Sequence, residues 1–220
     1  MGLYEIHCHT CEVSICGRVD AERVVQQHKE AGYEGICITD HYYNGYFESN
    51  RPLSDRDIVE SYLLGYRKAS AYGEKIGLKV FLGMELRFTE NPNDYLVFGI
   101  TEDMIYSNPR MFEMGLEFFS ESLKDSGILL IQAHPFRNHM IPADPLFLDG
   151  IEAINANPRH DAKNHMATAY ADRHGLIKTA GSDYHQECDI ALAAIDFPGE
   201  LNDVRDMISA LRTGEYKIVG

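Results

Sequence analysis

Short apolar runs alternate with amphipathic stretches of helical length along most of this chain. Leu3-Tyr4-Glu5-Ile6 reads as a strand that runs directly into His7-Cys8-His9-Thr10. Gly35-Ile36-Cys37-Ile38-Thr39, Lys79-Val80-Phe81-Leu82-Gly83 and Ile128-Leu129-Leu130-Ile131-Gln132-Ala133 have the length and apolar density of buried strands. Asp94 to Ile100, Ile151 to Asn155 and Ile177 to Ala180 complete a set of about seven strands before a last one, Tyr216 to Val219. Helices are predicted between them. Asp20 caps one over Ala21–Ala31, stopped by Gly32. Ser54 or Asp55, after Pro52, opens a long one to about Lys75, with Gly77 behind it. Pro109 suits the first turn of a helix reaching about Lys124, and two more are predicted over Arg159–His174 and Asn202–Arg212.

This rhythm predicts a mostly parallel α/β fold, either a doubly wound sheet or a closed barrel. The polar residues decide between them. His7/His9, Asp40/His41, Glu85, His134, Asn155 and Asp183/His185 each follow an apolar strand. In a barrel all strand C-termini open on one mouth, so such residues converge. A doubly wound sheet usually carries a Gly-rich phosphate loop, and the sequence has none. A barrel is expected, formed as a single domain over residues 1–220, since no linker, repeat or composition break divides the chain.

Composition narrows the function more than the fold. A hydrophobic content of 45% with 25% charged residues allows a substantial core. No apolar run approaches a membrane span, and the start of the chain lacks a signal-peptide pattern. The five cysteines, Cys8, Cys11, Cys16, Cys37 and Cys188, are an odd number and argue against a disulfide framework. A cytoplasmic location is therefore expected. A net charge of −14 argues against a general nucleic-acid binder.

The ten histidines carry the chemistry. In an extended strand residues i and i+2 share a face, so His7 and His9 can hold one ion, with Asp183 as a third ligand. Glu85 can bridge two ions through its two oxygens, His134 can complete a second, and His41 with His185 can hold a third. Imidazole and carboxylate together suit Zn, Mn or Fe. Ions roughly 3.5–4 Å apart can polarise a phosphoryl group from both sides. Cys8 and Cys11 have the spacing of a zinc knuckle but lack a second cysteine pair.

His7-Cys8-His9-Thr10, Thr39-Asp40-His41, Gly83-Met84-Glu85, Ala133-His134-Pro135 and Gly181-Ser182-Asp183-Tyr184-His185 resemble, in order, the motifs of the PHP (polymerase and histidinol phosphatase) family. The resemblance spans residues 7 to 185. It implies a distorted, TIM-like (β/α)7 barrel, two or three divalent metal ions and hydrolysis of phosphate esters. It places metal ligands at His7, His9, His41, Glu85, His134, Asp183 and His185. Two departures stand out. After His-x-His-Thr the family commonly supplies another ligand, where this chain has Cys11-Glu12-Val13-Ser14-Ile15-Cys16-Gly17. Glu12 is the preferred substitute, with Cys16 the alternative for zinc. The strand after Glu85 lacks the histidine many relatives place there, and Asp94 is its candidate replacement. Asp40, beside His41, is a weaker candidate.

Arg137 and Arg159 are candidates to grip a phosphate. Tyr42, Tyr43, Tyr46 and Phe47 lie in a predicted loop and suit either an aromatic wall or lid packing. The expected reaction is attack on phosphorus by a hydroxide held between ions, with Glu85 bridging and His41 or His185 protonating the leaving oxygen. The expected partner is a small phosphorylated molecule. The rival readings are a nuclease acting on nucleic-acid ends, an amidohydrolase-type metal enzyme and a degenerate metal-binding regulatory barrel.

Overall fold

Strand β1 (Gly2–Cys8) holds the architecture together because its two edges serve different partners. The computed structural model describes residues 2–124 and 126–220. On one edge β1 pairs in parallel with β2 (Tyr33–Ile38), which pairs in parallel with β4 (Lys79–Arg87). A two-residue strand, β3 (His41–Tyr42), adds to the upper end of β4. The path continues through β5 (Asp94–Phe98), β6 (Leu129–Gln132), β7 (Gly150–Asn155) and β8 (Ile177–Gly181).

Beyond β8 the sheet comes back to β1. Cys8 bridges Tyr184 in parallel. The His9 amide donates to the Tyr184 carbonyl at 3.0 Å, and the Tyr184 amide donates to the His7 carbonyl at 3.1 Å. Gly181 makes this seam possible, since a Cβ there would lie 2.5 Å from His7 Cβ. The lower half of the same β1 edge is taken by the antiparallel β9 (Ala194–Phe197), which carries β10 (Lys217–Val219). The result is a nearly closed, distorted barrel of mixed α/β type, with β9 and β10 as an appendage.

Two features differ from the strand-helix rhythm. Strand β5 runs antiparallel to both of its neighbours, so its first residue, Asp94, and not its last, stands at the mouth. Strand β9, which begins inside the apolar run Ile190–Ile195, adds a strand beyond the expected set. The helices are α1 (Ala21–Glu30), α2 (Asn44–Ser49), α3 (Asp55–Tyr62), α4 (Leu64–Ile76), α5 (Glu102–Ser107), α6 (Leu116–Ser122), α7 (Asn164–His174) and α8 (Val204–Thr213). Asp20 and Ser54 cap α1 and α3 through the amides of Arg23 and Asp57. The long helix expected to Lys75 is broken at Leu63. The one expected from Pro109 is a 3-10 turn followed by α6, because Gly115 between them takes a left-handed φ of 77°. Arg159 lies in the loop before α7, not inside the helix.

Apolar side chains pack in three clusters. One joins the outer faces of β4 and β5 to α3, α5 and α6, and takes in Tyr42, Tyr46, Phe47, Tyr62 and Phe112. These aromatic residues are buried, with Tyr42 edge-on to Tyr62 at 4.6 Å and Phe47 against Phe112 at 4.9 Å. Of the expected aromatic wall only Tyr43 escapes burial, so packing is the correct reading for the others. A second cluster seats α8 and β9 under the barrel with Tyr4, Phe81, Phe98 and Phe197. The third packs α1 and α4 on β1 and β2, and takes Cys8 on the side away from His7 and His9.

Candidate metal centre

Side chains from five segments meet at the mouth. His7 and His9 leave the end of β1 with ring centroids 5.2 Å apart. Glu85 comes from β4, His41 from β3, His134 from the turn after β6, and Asp183 with His185 from the turn after β8. His7 Nε2 lies 3.3 Å from Glu85 Oε1 and 3.4 Å from Asp183 Oδ1. His9 Nε2 lies 3.3 Å from Glu85 Oε2 and 3.3 Å from Asp183 Oδ1. Two ligands about 2.05 Å from one tetrahedral ion are about 3.3 Å apart, so this spacing is what a shared ion requires. Neither Nε2 has a hydrogen-bond partner, although both residues are fully buried. Buried polar atoms are rarely left this way without an ion or water to meet them. The residues therefore fit a divalent metal.

Glu85 also serves the neighbouring positions. His134 Nε2 is 3.0 Å from its Oε1, and His41 Nδ1 is 2.8 Å from its Oε2. Asp94 Oδ2 is 4.0 Å from His134 Nε2 and groups with His41 and Glu85. On the outer side His9, His41 and His185 form a further trio, the His9 ring centroid lying 4.5 Å and 4.3 Å from the other two. His134 and Asp183 both hold left-handed backbone, with φ of 28° and 52°. Such strain in non-glycine residues collects at functional sites.

The carboxylates and imidazoles at the mouth shift one another's titration. Burial works against the charged forms of Glu85 and Asp183, but neighbouring histidines, with Arg137 at Asp183, outweigh it and hold both well below the usual carboxylate range. His7 and His41 are driven up against the same burial, His7 by Glu152, Asp183 and Glu85, and His41 chiefly by Glu85. His9 is driven down by burial and by the adjacent His185 and His41.

Beneath these residues lies a supporting layer. His7 Nδ1 is 2.8 Å from Glu152 Oε1, while Glu152 Oε2 accepts from the His134 amide at 2.9 Å and from Asn155 Nδ2 at 2.9 Å. Glu5 accepts from the amides of His7 and Ser182, and burial pushes its carboxyl up to about 7 against those bonds. Sequence reasoning missed Glu5 and Glu152. The signal was present, since each is a carboxylate inside an otherwise apolar strand.

Three candidates are placed differently from expectation. Glu12 does not reach the centre: its oxygens accept from the Ala21 amide at 3.0 Å and from Lys68 Nζ at 3.3 Å, so it caps α1 instead. Asp40 also turns away, its carboxylate taken by the Thr10 amide and hydroxyl and the Ser14 hydroxyl, each at 2.7 Å. Arg159 spends both Nη atoms on Asp189 at 2.6 Å, and Asp189 in turn accepts from the His185 amide at 2.9 Å. It braces the His185 turn. Cys16, by contrast, brings Sγ to 3.1 Å from His185 Nε2.

A cavity of about 240 Å³ opens over the centre and is lined by Cys16, His41, Arg87, Arg137, Asp183 and His185 among others. Arg137 Nη2 donates to Asp183 Oδ2 at 2.6 Å and to Asn155 Oδ1 at 2.9 Å. Arg87 grips Asp94 with two bonds of 2.7 Å. A larger cavity of about 540 Å³ beside Leu146 and Arg212 contains none of these ligands.

Buried histidines and carboxylates gathered at the mouth of an α/β barrel form the donor set of a divalent-metal site. The PHP domain family matches residues 5–213, and the chain belongs to it. A two-domain protein from Bacteroides vulgatus, described as containing a predicted PHP-like metal-dependent phosphoesterase, is similar with a TM-score of 0.69 at 14% identity. The match covers 99% of this chain and 64% of that one, so this chain spans under two thirds of its length. PsfC from Pseudomonas syringae is similar with a TM-score of 0.68 at 18% identity, over 100% of this chain and 92% of that one. The lesion-specific endonuclease PfuEndoQ from Pyrococcus furiosus is similar with a TM-score of 0.61 at 13% identity, over 99% and 57%. These likenesses show a shared fold. No curated protein matches the sequence.

Proposed function

We propose that residues 1–220 act as one catalytic unit that hydrolyses a phosphate ester of a small molecule. The observation that carries this reading is Asp183, whose Oδ1 faces His7 and His9 while its Oδ2 takes the Arg137 guanidinium. A phosphoryl group in the cavity then meets the metal position and a guanidinium side by side, as a dianion requires.

His7, His9, Glu85 and Asp183 would hold one ion, and Glu85, His134 and Asp94 a second. His41 and His185 stand at a third position. Divalent metal there would supply Lewis acidity and a water acidic enough to attack phosphorus near neutral pH. The protein's own contribution is orientation. Glu152 fixes the His7 ring, Arg137 aligns phosphoryl oxygens, and the buried walls exclude bulk water. His41, partly buried at the rim, and His185 are the groups placed to deliver a proton to the departing oxygen.

The cavity volume suits a sugar, nucleotide or amino-alcohol phosphate. Arg87, Arg137 and Arg159 are each paired to a carboxylate, and the chain is strongly acidic, which disfavours a duplex bound along a basic groove. The five unpaired cysteines suit a reducing, cytoplasmic setting. Among the described residues no helix is long and apolar enough to cross a membrane.

The test combines elemental analysis of purified protein with a panel of phosphomonoesters, phosphodiesters and oligonucleotides, with and without added Mn²⁺. Stoichiometric metal and turnover of small phosphate esters are expected. Turnover confined to oligonucleotides would overturn the small-molecule reading. Absence of both metal and turnover would leave a regulatory barrel.

A further inference from the structure

The three metal positions are not chemically alike. The inner two are faced by imidazole nitrogens and carboxylate oxygens from His7, His9, Glu85, His134, Asp94 and Asp183. The outer one is faced by His41, His185 and a sulfur, since Cys16 Sγ lies 3.1 Å from His185 Nε2 and lines the same cavity as both histidines.

The sulfur is held there by construction. Cys16 sits on the turn between Ser14 and Arg18, and that turn is tied at both ends to segments carrying the two histidines. The Ser14 hydroxyl accepts from the His41 amide at 3.1 Å, and the Arg18 amide donates to the His185 carbonyl at 2.8 Å. His185 Nδ1 lies 2.7 Å from the Asp183 carbonyl. That bond places its proton on Nδ1 and leaves Nε2, the atom beside Cys16, with a free lone pair. A further pointer to an ion comes from His9. Its ring stands against both His41 and His185, and the three imidazoles offer ligand atoms within 4.8 Å of one another, the grouping of a metal position.

Resting on the phosphoesterase reading, we infer that Cys16 is a thiolate ligand of the outer ion, together with His41 and His185. This makes the outer position selective for a thiophilic ion of the zinc class, whereas the inner positions accept Mn²⁺. Thiolate prefers zinc, while carboxylate and imidazole also accommodate manganese. A His₂Cys set leaves the fourth tetrahedral position open, the arrangement of a catalytic zinc. The centre is then mixed, one soft position outside and hard ones within.

Metal-stripped protein reloaded with Co²⁺ tests the ligand directly, without any need for turnover. A sulfur-to-cobalt charge-transfer band is expected in the wild type and in Cys11→Ser, and is expected to vanish in Cys16→Ser. Reloading with Zn²⁺ should give one tightly held equivalent fewer in Cys16→Ser than in the wild type, and X-ray absorption should show sulfur at about 2.3 Å from zinc only in the wild type. Mn²⁺ stoichiometry should be the same in both. Cys16→His should regain the lost zinc without the sulfur band, which separates ligation from folding. Metal bound with no sulfur band, or equal zinc in Cys16→Ser and the wild type, would overturn the assignment and leave the phosphoesterase reading in place. Sulfur-ligated zinc with no turnover of any phosphate ester would do the reverse.

Discussion

Glu152 Oε1 stands 2.8 Å from His7 Nδ1, and both side chains are wholly buried. The contact fixes which His7 nitrogen faces the metal position. Glu152→Gln keeps the shape but removes the charge that strengthens the bond. Partners of this kind typically contribute 10- to 100-fold in metal affinity. Chelator competition should show a weakening of about that size with the far-ultraviolet circular dichroism unchanged. Unaltered affinity would mean that Glu152 serves folding only.

Glu85→Gln is expected to be more severe, because one carboxylate faces His7, His9, His41 and His134. Metal content should fall by more than one equivalent, and phosphatase activity should drop by about 10³-fold or more, since both the bridge and its charge are lost. Retention of both metal and turnover would remove Glu85 from the centre.

Arg137 spends Nη2 on Asp183 and Asn155, and in the proposed role its remaining guanidinium donors meet a phosphoryl oxygen, a double task a lysine cannot reproduce. Arg137→Lys should cost about 1.5–3 kcal/mol of binding, or roughly 10- to 100-fold in kcat/KM, with metal content unchanged. Steady-state kinetics on the best substrate of the panel would show it. A loss of metal without any change in KM would make Arg137 a brace for Asp183 instead.

Away from the centre, His28 is buried in α1 with Nδ1 2.8 Å from the Val24 carbonyl. Burial pushes its pKa down to about 4, the bond to Val24 only partly opposing it. The folded state therefore resists the proton that the unfolded chain accepts near pH 6.5. Stability contributed by the neutral ring is complete above about pH 6.5 and is lost as pH falls towards 4. Between pH 7.5 and 5 the loss should be roughly 2 kcal/mol. Denaturant unfolding of the wild type and His28→Leu at both pH values should show that difference in slope; parallel slopes would refute it.

Most of the residues gathered at the mouth were legible in sequence because they follow a recognisable apolar strand, as His134 does after Ile128–Ala133. Legibility failed where that rule did not apply. Asp94 begins its strand instead of ending it, and only the reversal of β5 explains its place beside His134. Glu5 and Glu152 sit inside strands, where apolar neighbours outweigh a single carboxylate in any pattern. Glu12 and Cys16 share one turn, and spacing alone gives no direction for either side chain. The tie of Ser14 to Asp40 and His41, a tertiary matter, turns one outward and the other in. The break at Leu63 likewise interrupts a continuous helical pattern.

The reversal of β5 also bears on how this barrel can change over time. Parallel neighbours must be joined by a crossover of a dozen residues or more, packed against the sheet and hard to alter. Because β4 and β5 are antiparallel, Phe88–Asn93 joins them directly at the rim, between Arg87 and Asp94. Lengthening such a hairpin costs little, about 0.6 kcal/mol for each doubling, and moves neither strand. A change of length there would reshape the rim of the cavity that Arg87 and Asp94 line while the side chains gathered at the mouth stay where they are.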